Sequence, residues 1–129
     1  MKKILLYVLL VAGLLSCSKD RSLRKRYAGT YELIRYSGFI MSPVYPPGNG
    51  RLIVLSEDGI YEERRHDTVD VRTTYTIENK KECDEFDKVD ILQVKDYNES
   101  RIGFQHDTLT ISTLRCIVDG GTAFYRQVK

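Results

Sequence analysis

The sequence predicts an all-β domain, an eight-stranded up-and-down antiparallel barrel, following an N-terminal export signal. Three observations carry that prediction. From Gly29 onward, short stretches rich in Val, Ile, Thr, Tyr and Leu alternate with clusters of turn residues, which is the composition of strands and their connections. Asp58-Gly59 and Asp119-Gly120-Gly121 are strong tight-turn signals, and tight turns join antiparallel neighbours. No stretch after the export signal shows the apolar periodicity of a helix. Closing such a meander removes its exposed edges. A two-sheet sandwich is the alternative architecture.

The strands follow in order. The first spans 30–38 and leads into a long connection, 39–50, that contains Pro43, Pro46 and Pro47. The second spans 51–56, and the Asp58-Gly59 turn delivers the third, 60–65. The fourth is expected at 71–77. A charged connection at 80–88, with room for one helical turn, separates it from the fifth, 89–95. The sixth and seventh, 101–105 and 108–115, meet at His106-Asp107. The eighth, 122–128, follows the Asp119-Gly120-Gly121 turn.

The first sixteen residues have a different character. Lys2 and Lys3 precede a mostly apolar run from Ile4 to Leu15. This is the charged-then-apolar layout of a secretory signal peptide. As a helix the run would reach roughly 18 Å, short of the hydrocarbon core of about 30 Å. It ends in Leu14-Leu15-Ser16-Cys17, which resembles the lipobox of bacterial lipoproteins. The resemblance implies cleavage before Cys17, a diacylglycerol thioether on its sulfur and acylation of the freed amine. Two or three chains anchor a protein stably where one does not. The implied partner is thus the membrane, through lipid on Cys17. Ser18 follows in place of the Asp that favours inner-membrane retention, so the cell envelope is expected, on the outer-membrane side, with the leaflet open. The domain plan is a signal peptide at 1–16, a lipid-anchored basic tether at 17–27 and a folded domain at 28–129.

Charge narrows the partners. The chain has 20 Lys and Arg against 18 Asp and Glu, and the signal removes Lys2 and Lys3, leaving the two signs level. Lys19, Arg21, Arg24, Lys25 and Arg26 crowd the tether against Asp20 alone, which suits anionic headgroups and equally suits a solvated leader. What remains is slightly acidic and argues against nucleic-acid binding. Of three cysteines, Cys17 is committed to lipid. Cys83 and Cys116 form a disulfide in an oxidising compartment or stay as two buried thiols. Neither has a Cys or His at zinc-ligand spacing.

The folded part resembles the short lipocalin-like domains of Gram-negative lipoproteins. The resemblance rests on Gly29-Thr30-Tyr31 in the first strand, Asp58-Gly59-Ile60-Tyr61 at the first hairpin, His106 to Ile111 entering the seventh strand, and Asp119-Gly120 followed by Phe124-Tyr125-Arg126. Lipocalins usually seal the closed end of the barrel by stacking a Trp in the first strand on an Arg in the last. This chain has no Trp. Tyr31 stands in its place, and the resemblance implies that Arg126 lies over the Tyr31 ring. It also implies that the 39–50 connection is a lid. That connection carries Phe39, Ile40, Met41, Val44 and Tyr45, either plugging the barrel mouth as core or covering a ligand or partner.

The sequence holds no recognisable catalytic arrangement and implies no cofactor. His-Asp-Thr occurs at 66–68 and at 106–108; two His and two Asp can bind a divalent ion, but both copies fall at turns, where Asp and Thr bond the backbone. Glu62 to Arg65 reads as a solvated strand face. An eight-stranded barrel is about wide enough either to be filled by side chains or to hold one small ligand. The expected function is binding a small apolar or amphipathic molecule, lined by Leu33, Tyr61, Tyr75, Ile91, Phe104, Ile111 and Tyr125. The alternative is a filled barrel that engages an envelope protein partner through its Pro-rich loop.

Overall fold

The computed structural model describes residues 19–84 and 86–128. The signal peptide and Cys17 lie outside the described residues. Eight strands form one closed antiparallel ring: β1 (Gly29–Ser37), β2 (Arg51–Leu55), β3 (Ile60–Arg65), β4 (Thr68–Lys81), β5 (Lys88–Val94), β6 (Ser100–Gln105), β7 (Thr108–Thr113) and β8 (Thr122–Val128). Each strand pairs with the next, and β8 returns to β1. The predicted strands are present in the predicted order. The largest difference is β4, which is longer at both ends than the expected 71–77. Its extra residues are polar apart from Val69 and carry no alternation signal, yet they pair with Arg64 and Arg65 at one end and with Lys88 to Ile91 at the other. The 80–88 connection is a turn, with no helix among its described residues.

Side chains of period two fill the ring. Tyr31, Ile53, Leu55, Tyr61, Tyr75, Ile77, Leu92, Val94, Ile102 and Leu109 are buried in one cluster, with Ile111 and Tyr125 packed against it. Each full burial of such a side chain is worth roughly 1.5–3 kcal/mol. The same alternation splits the Glu62 to Arg65 run. Glu63 and Arg65 share the inner parity of Tyr61, while Glu62 is buried on the outer face between Arg64 and Arg72. Glu32 is matched on the outer face in the same way by Arg126.

One element was not visible as a pattern. Residues 19–27 are helical (α1), where a basic tether or a solvated leader was expected. Only Leu23 and Tyr27, one turn apart, pack against the core, and two apolar positions are too few to show a period. The Asp20 carboxylate accepts a hydrogen bond from the backbone N–H of Ile77 (3.1 Å) and pairs with Arg24 (3.2 Å). The helix therefore closes the end of the ring from which β1 departs, and its basic residues Lys19, Arg21, Lys25 and Arg26 stay exposed.

Candidate functional site

The residues expected to line a ligand space are brought together, with one exception. Leu33, Tyr61, Tyr75, Phe104, Ile111 and Tyr125 share the inner face. Ile91 does not, because Asp90 and Leu92 on either side of it point inward. It is buried on the outer face, opposite Arg101. Tyr61 and Tyr75 are buried in the core with Ile111 and Tyr125 packed against them, while Phe104 is 38% exposed. The Tyr75 hydroxyl donates to the carbonyl of Ser56 (2.6 Å), and the Tyr61 hydroxyl donates to Glu63 (2.8 Å). The Tyr31 hydroxyl donates to the carbonyl of Tyr27 (2.8 Å). Tyr27, Asn79 and Asp90 were not singled out in the sequence, yet they form the polar part of this interior. The Asp90 carboxylate accepts from the Tyr27 hydroxyl (2.6 Å) and the Asn79 amide (2.8 Å), and Arg26 lies 3.6 Å away. A lone Asp within a Val-Asp-Ile strand was the available signal, since a carboxylate at an inward position needs donors.

Space at the other end of the ring is small. A recess of about 190 Å³ lies at the mouth, where Leu33, Ile53, Glu63 and Tyr125 meet the rim residues Arg51 and Arg65. Ligand sites for small molecules run from about 300 Å³ upward.

The expected contact between Tyr31 and Arg126 does not form. The register sets Arg126 opposite Glu32, on the outer face, while Tyr31 faces inward. Arg126 donates to the Glu32 carboxylate at 2.5 Å, and the Tyr31 ring lies 6.4 Å from that of Phe104. Sealing falls to α1 and Tyr27. Burial works against the Glu32 charge, but the Gly48 amide, Arg126 and the Gly50 amide outweigh it and hold the carboxyl below its usual range.

Burial also raises the phenols of Tyr27, Tyr31, Tyr61, Tyr75 and Tyr125, the last to about 12, with Asp90 adding at Tyr27 and Glu63 at Tyr61 and Tyr125. The unfolded chain ionises its phenols near 10.0. Their stabilisation is therefore complete below pH 10 and declines as pH rises towards the folded values. In an alkaline titration the phenolate absorbance of these five should emerge together with loss of the β circular-dichroism signal. Reversible ionisation near pH 10 with the fold intact would contradict the packing described.

The 39–50 connection does not plug the mouth. Residues 43–45 run back along β1, with Tyr36 N–H donating to Pro43 O (3.0 Å) and Tyr45 N–H to Ile34 O (2.9 Å). Gly38 N–H donates to Met41 O (3.0 Å), which places Phe39 and Ile40 at the tip of a short ribbon. Phe39 is 84% exposed, Ile40 88%, Met41 68% and Val44 73%. Tyr45 is partly buried and lies under the Arg51 guanidinium (4.8 Å). The ribbon pairs with β1 because Ile34 to Tyr36 lie beyond the reach of β2, whose register ends at Glu32. Val118, 93% exposed, adds to the apolar surface on the β7–β8 connection.

Cys83 and Cys116 are bonded. The bond ties the β4–β5 turn to the β7–β8 connection. Beside it, the buried Glu82 carboxylate accepts from the Arg115 backbone N–H (2.6 Å) and pairs with Arg101 (3.3 Å). His66 and His106 occupy the β3–β4 and β6–β7 turns, which join strands at opposite ends of the ring, and both adopt left-handed backbone conformations. The two His-Asp-Thr segments therefore do not converge. Among the described residues no group of three or more His, Cys, Asp and Glu side chains is placed to hold an ion. No described helix is long and apolar enough to cross a membrane.

Fold and surface together define a class: a closed eight-stranded antiparallel ring, packed inside, capped by a short helix and carrying an apolar ribbon. Compared with known protein families, curated proteins and solved structures, the chain matches none.

Proposed function

We propose that this protein is a lipid-anchored, lipocalin-like envelope lipoprotein whose barrel is filled and which engages a protein partner through its Pro-rich ribbon. One observation carries the reading: Phe39, Ile40 and Met41 stand exposed at a ribbon tip rather than buried as core. Exposing three consecutive large apolar side chains is costly in water, and such patches mark interaction sites. The ribbon is held to β1 by backbone hydrogen bonds, and Pro43, Pro46 and Pro47 limit its unfolded freedom. Little ordering entropy remains to oppose binding. The interior gives the ligand-binding alternative less support, because Tyr27, Tyr31, Tyr61 and Tyr75 are hydrogen-bonded to the protein itself and the mouth recess is small.

In this reading Cys17 carries the lipid, the exposed Lys19, Arg21 and Lys25 of α1 lie towards anionic headgroups, and the outer membrane is the favoured location. The ribbon belongs to the opposite end of the ring from α1, so it is presented away from the anchoring bilayer and towards a protein.

A photo-crosslinking residue placed at Phe39 or Met41 of the full-length lipoprotein in cells should yield one defined protein adduct. The same residue at Glu57, in the turn beside α1, should not. Adducts of equal yield from both ends, or none from the ribbon, would remove the ribbon as the working surface.

A further inference from the structure

The ring is unevenly closed. β5 and β6 are paired at only two positions, Ile91 with Arg101 and Leu92 with Ser100, whereas every other neighbouring pair is joined at four or more. Residues 102–105 of β6 keep their ladder to β7 but have none to β5, and residues 88–90 of β5 are paired with β4 alone. A strand points about half of its N–H and C=O groups to each side. The seam therefore leaves vacant ladder positions over about 13 Å of β6.

The seam is backed from inside and open from outside. Inside, Tyr27 spans it: the hydroxyl donates to Asp90 on β5 (2.6 Å), and the ring stacks on Phe104 of β6 at 5.3 Å with planes 7° apart. Along it lies a groove of about 700 Å³, lined by Arg101 and Gly103 of the outer face and by Asp90 and Phe104 of the inner. Lys88 and Val89 form one wall, next to the β4–β5 turn that the disulfide and the Glu82 contacts with Arg101 and Arg115 hold in place. Gly103, Thr110 and Ser112 are small residues within its lining. A Cβ at Gly103 would meet nothing nearer than the Thr110 hydroxyl at 3.9 Å, so another backbone can approach.

Charge says what fits. Arg26, Lys88, Arg101 and Arg115 line the groove, and Asp90 is the one carboxylate among its lining residues. Asp90 is already engaged by Tyr27, Asn79 and Arg26. Lys88 is exposed and has no carboxylate partner among the described residues.

We propose that the β5–β6 seam docks an extended acidic segment of a partner protein, its backbone continuing the β6 ladder at 102–105 and its carboxylates facing Arg26 and Lys88. Strand addition supplies affinity through the main chain, and the flanking cations select acidic side chains. The site is separate from the ribbon tip and does not depend on it.

The test is fluorescence anisotropy of a labelled peptide of alternating valine and glutamate, titrated with the full-length lipoprotein in detergent. Binding should weaken with salt, weaken about tenfold in Lys88→Glu as a repulsive pair replaces an attractive one, and vanish when alternate peptide amides are N-methylated. Lys88 is exposed, so the variant should melt with the parent. An absence of binding overturns the proposal. So does equal binding of the N-methylated peptide, which would mean that the groove reads charge alone, as it would on an acidic polysaccharide.

Discussion

Replacing Tyr27 with alanine is expected to destabilise the domain by about 3–5 kcal/mol, as for other large buried aromatic side chains. Tyr27 is 1% exposed, although it is the last residue of a helix that precedes the first strand. Its ring fills the space between β5 and β6 against Phe104, and its hydroxyl is one of two close donors to Asp90. Truncation leaves both a cavity and a buried carboxylate short of a hydrogen bond. Tyr27→Phe separates the two effects. It keeps the ring and removes the donor, at an expected cost of about 1–3 kcal/mol. Domains of this size have roughly 5–15 kcal/mol to lose, so the alanine variant should shift the urea midpoint far to lower concentration. An unchanged midpoint would mean that α1 does not seal the ring.

The second large effect concerns Cys83 and Cys116. Their bond spans 33 positions of sequence, and removing such a crosslink frees the unfolded chain by about 3–4 kcal/mol. The double serine variant should lose that amount in guanidinium unfolding and become indifferent to reductant, while the parent falls to the same midpoint when reduced. Buried Glu82 makes the local response specific. Once the turn is released, the Arg115 amide loses the carboxylate it donates to, so its hydrogen exchange should accelerate well before that of core amides such as Leu109. Equal protection with and without the bond would show that the turn is held by something else.

Much of the architecture could be read in the chain because a two-residue period and tight turns leave local marks. Asp58-Gly59 sets the β2–β3 hairpin, with Gly59 in the left-handed region. Leu92 and Val94 alternate with polar or outward neighbours as a half-buried strand should. What was hidden depended on contacts distant in sequence. Tyr27 meets Asp90 across 63 positions, and nothing near either residue announces the other. The helix was missed because only Leu23 and Tyr27 touch the core, while its remaining positions read as a basic leader. Ile91 looks like core by composition and is buried, but pairing parity assigns it to the outer face. The ribbon illustrates the converse. Phe39, Ile40 and Met41 have the composition of core, and only the return of residues 43–45 along β1 leaves them in solvent. Arg126 was expected on an aromatic ring. A strand places adjacent residues on opposite faces, and its register handed Arg126 to Glu32 instead.

A filled ring that works from its surface carries no small molecule inside. Native mass spectrometry of the full-length protein, released from mild detergent in the gas phase, reads that content. The expected species is the polypeptide from Cys17 onward plus covalent lipid, with Cys83 and Cys116 oxidised and no further organic mass. A stoichiometric small molecule that survives release from the micelle and leaves on unfolding would contradict it, and would return the interior tyrosines to the role of a binding site.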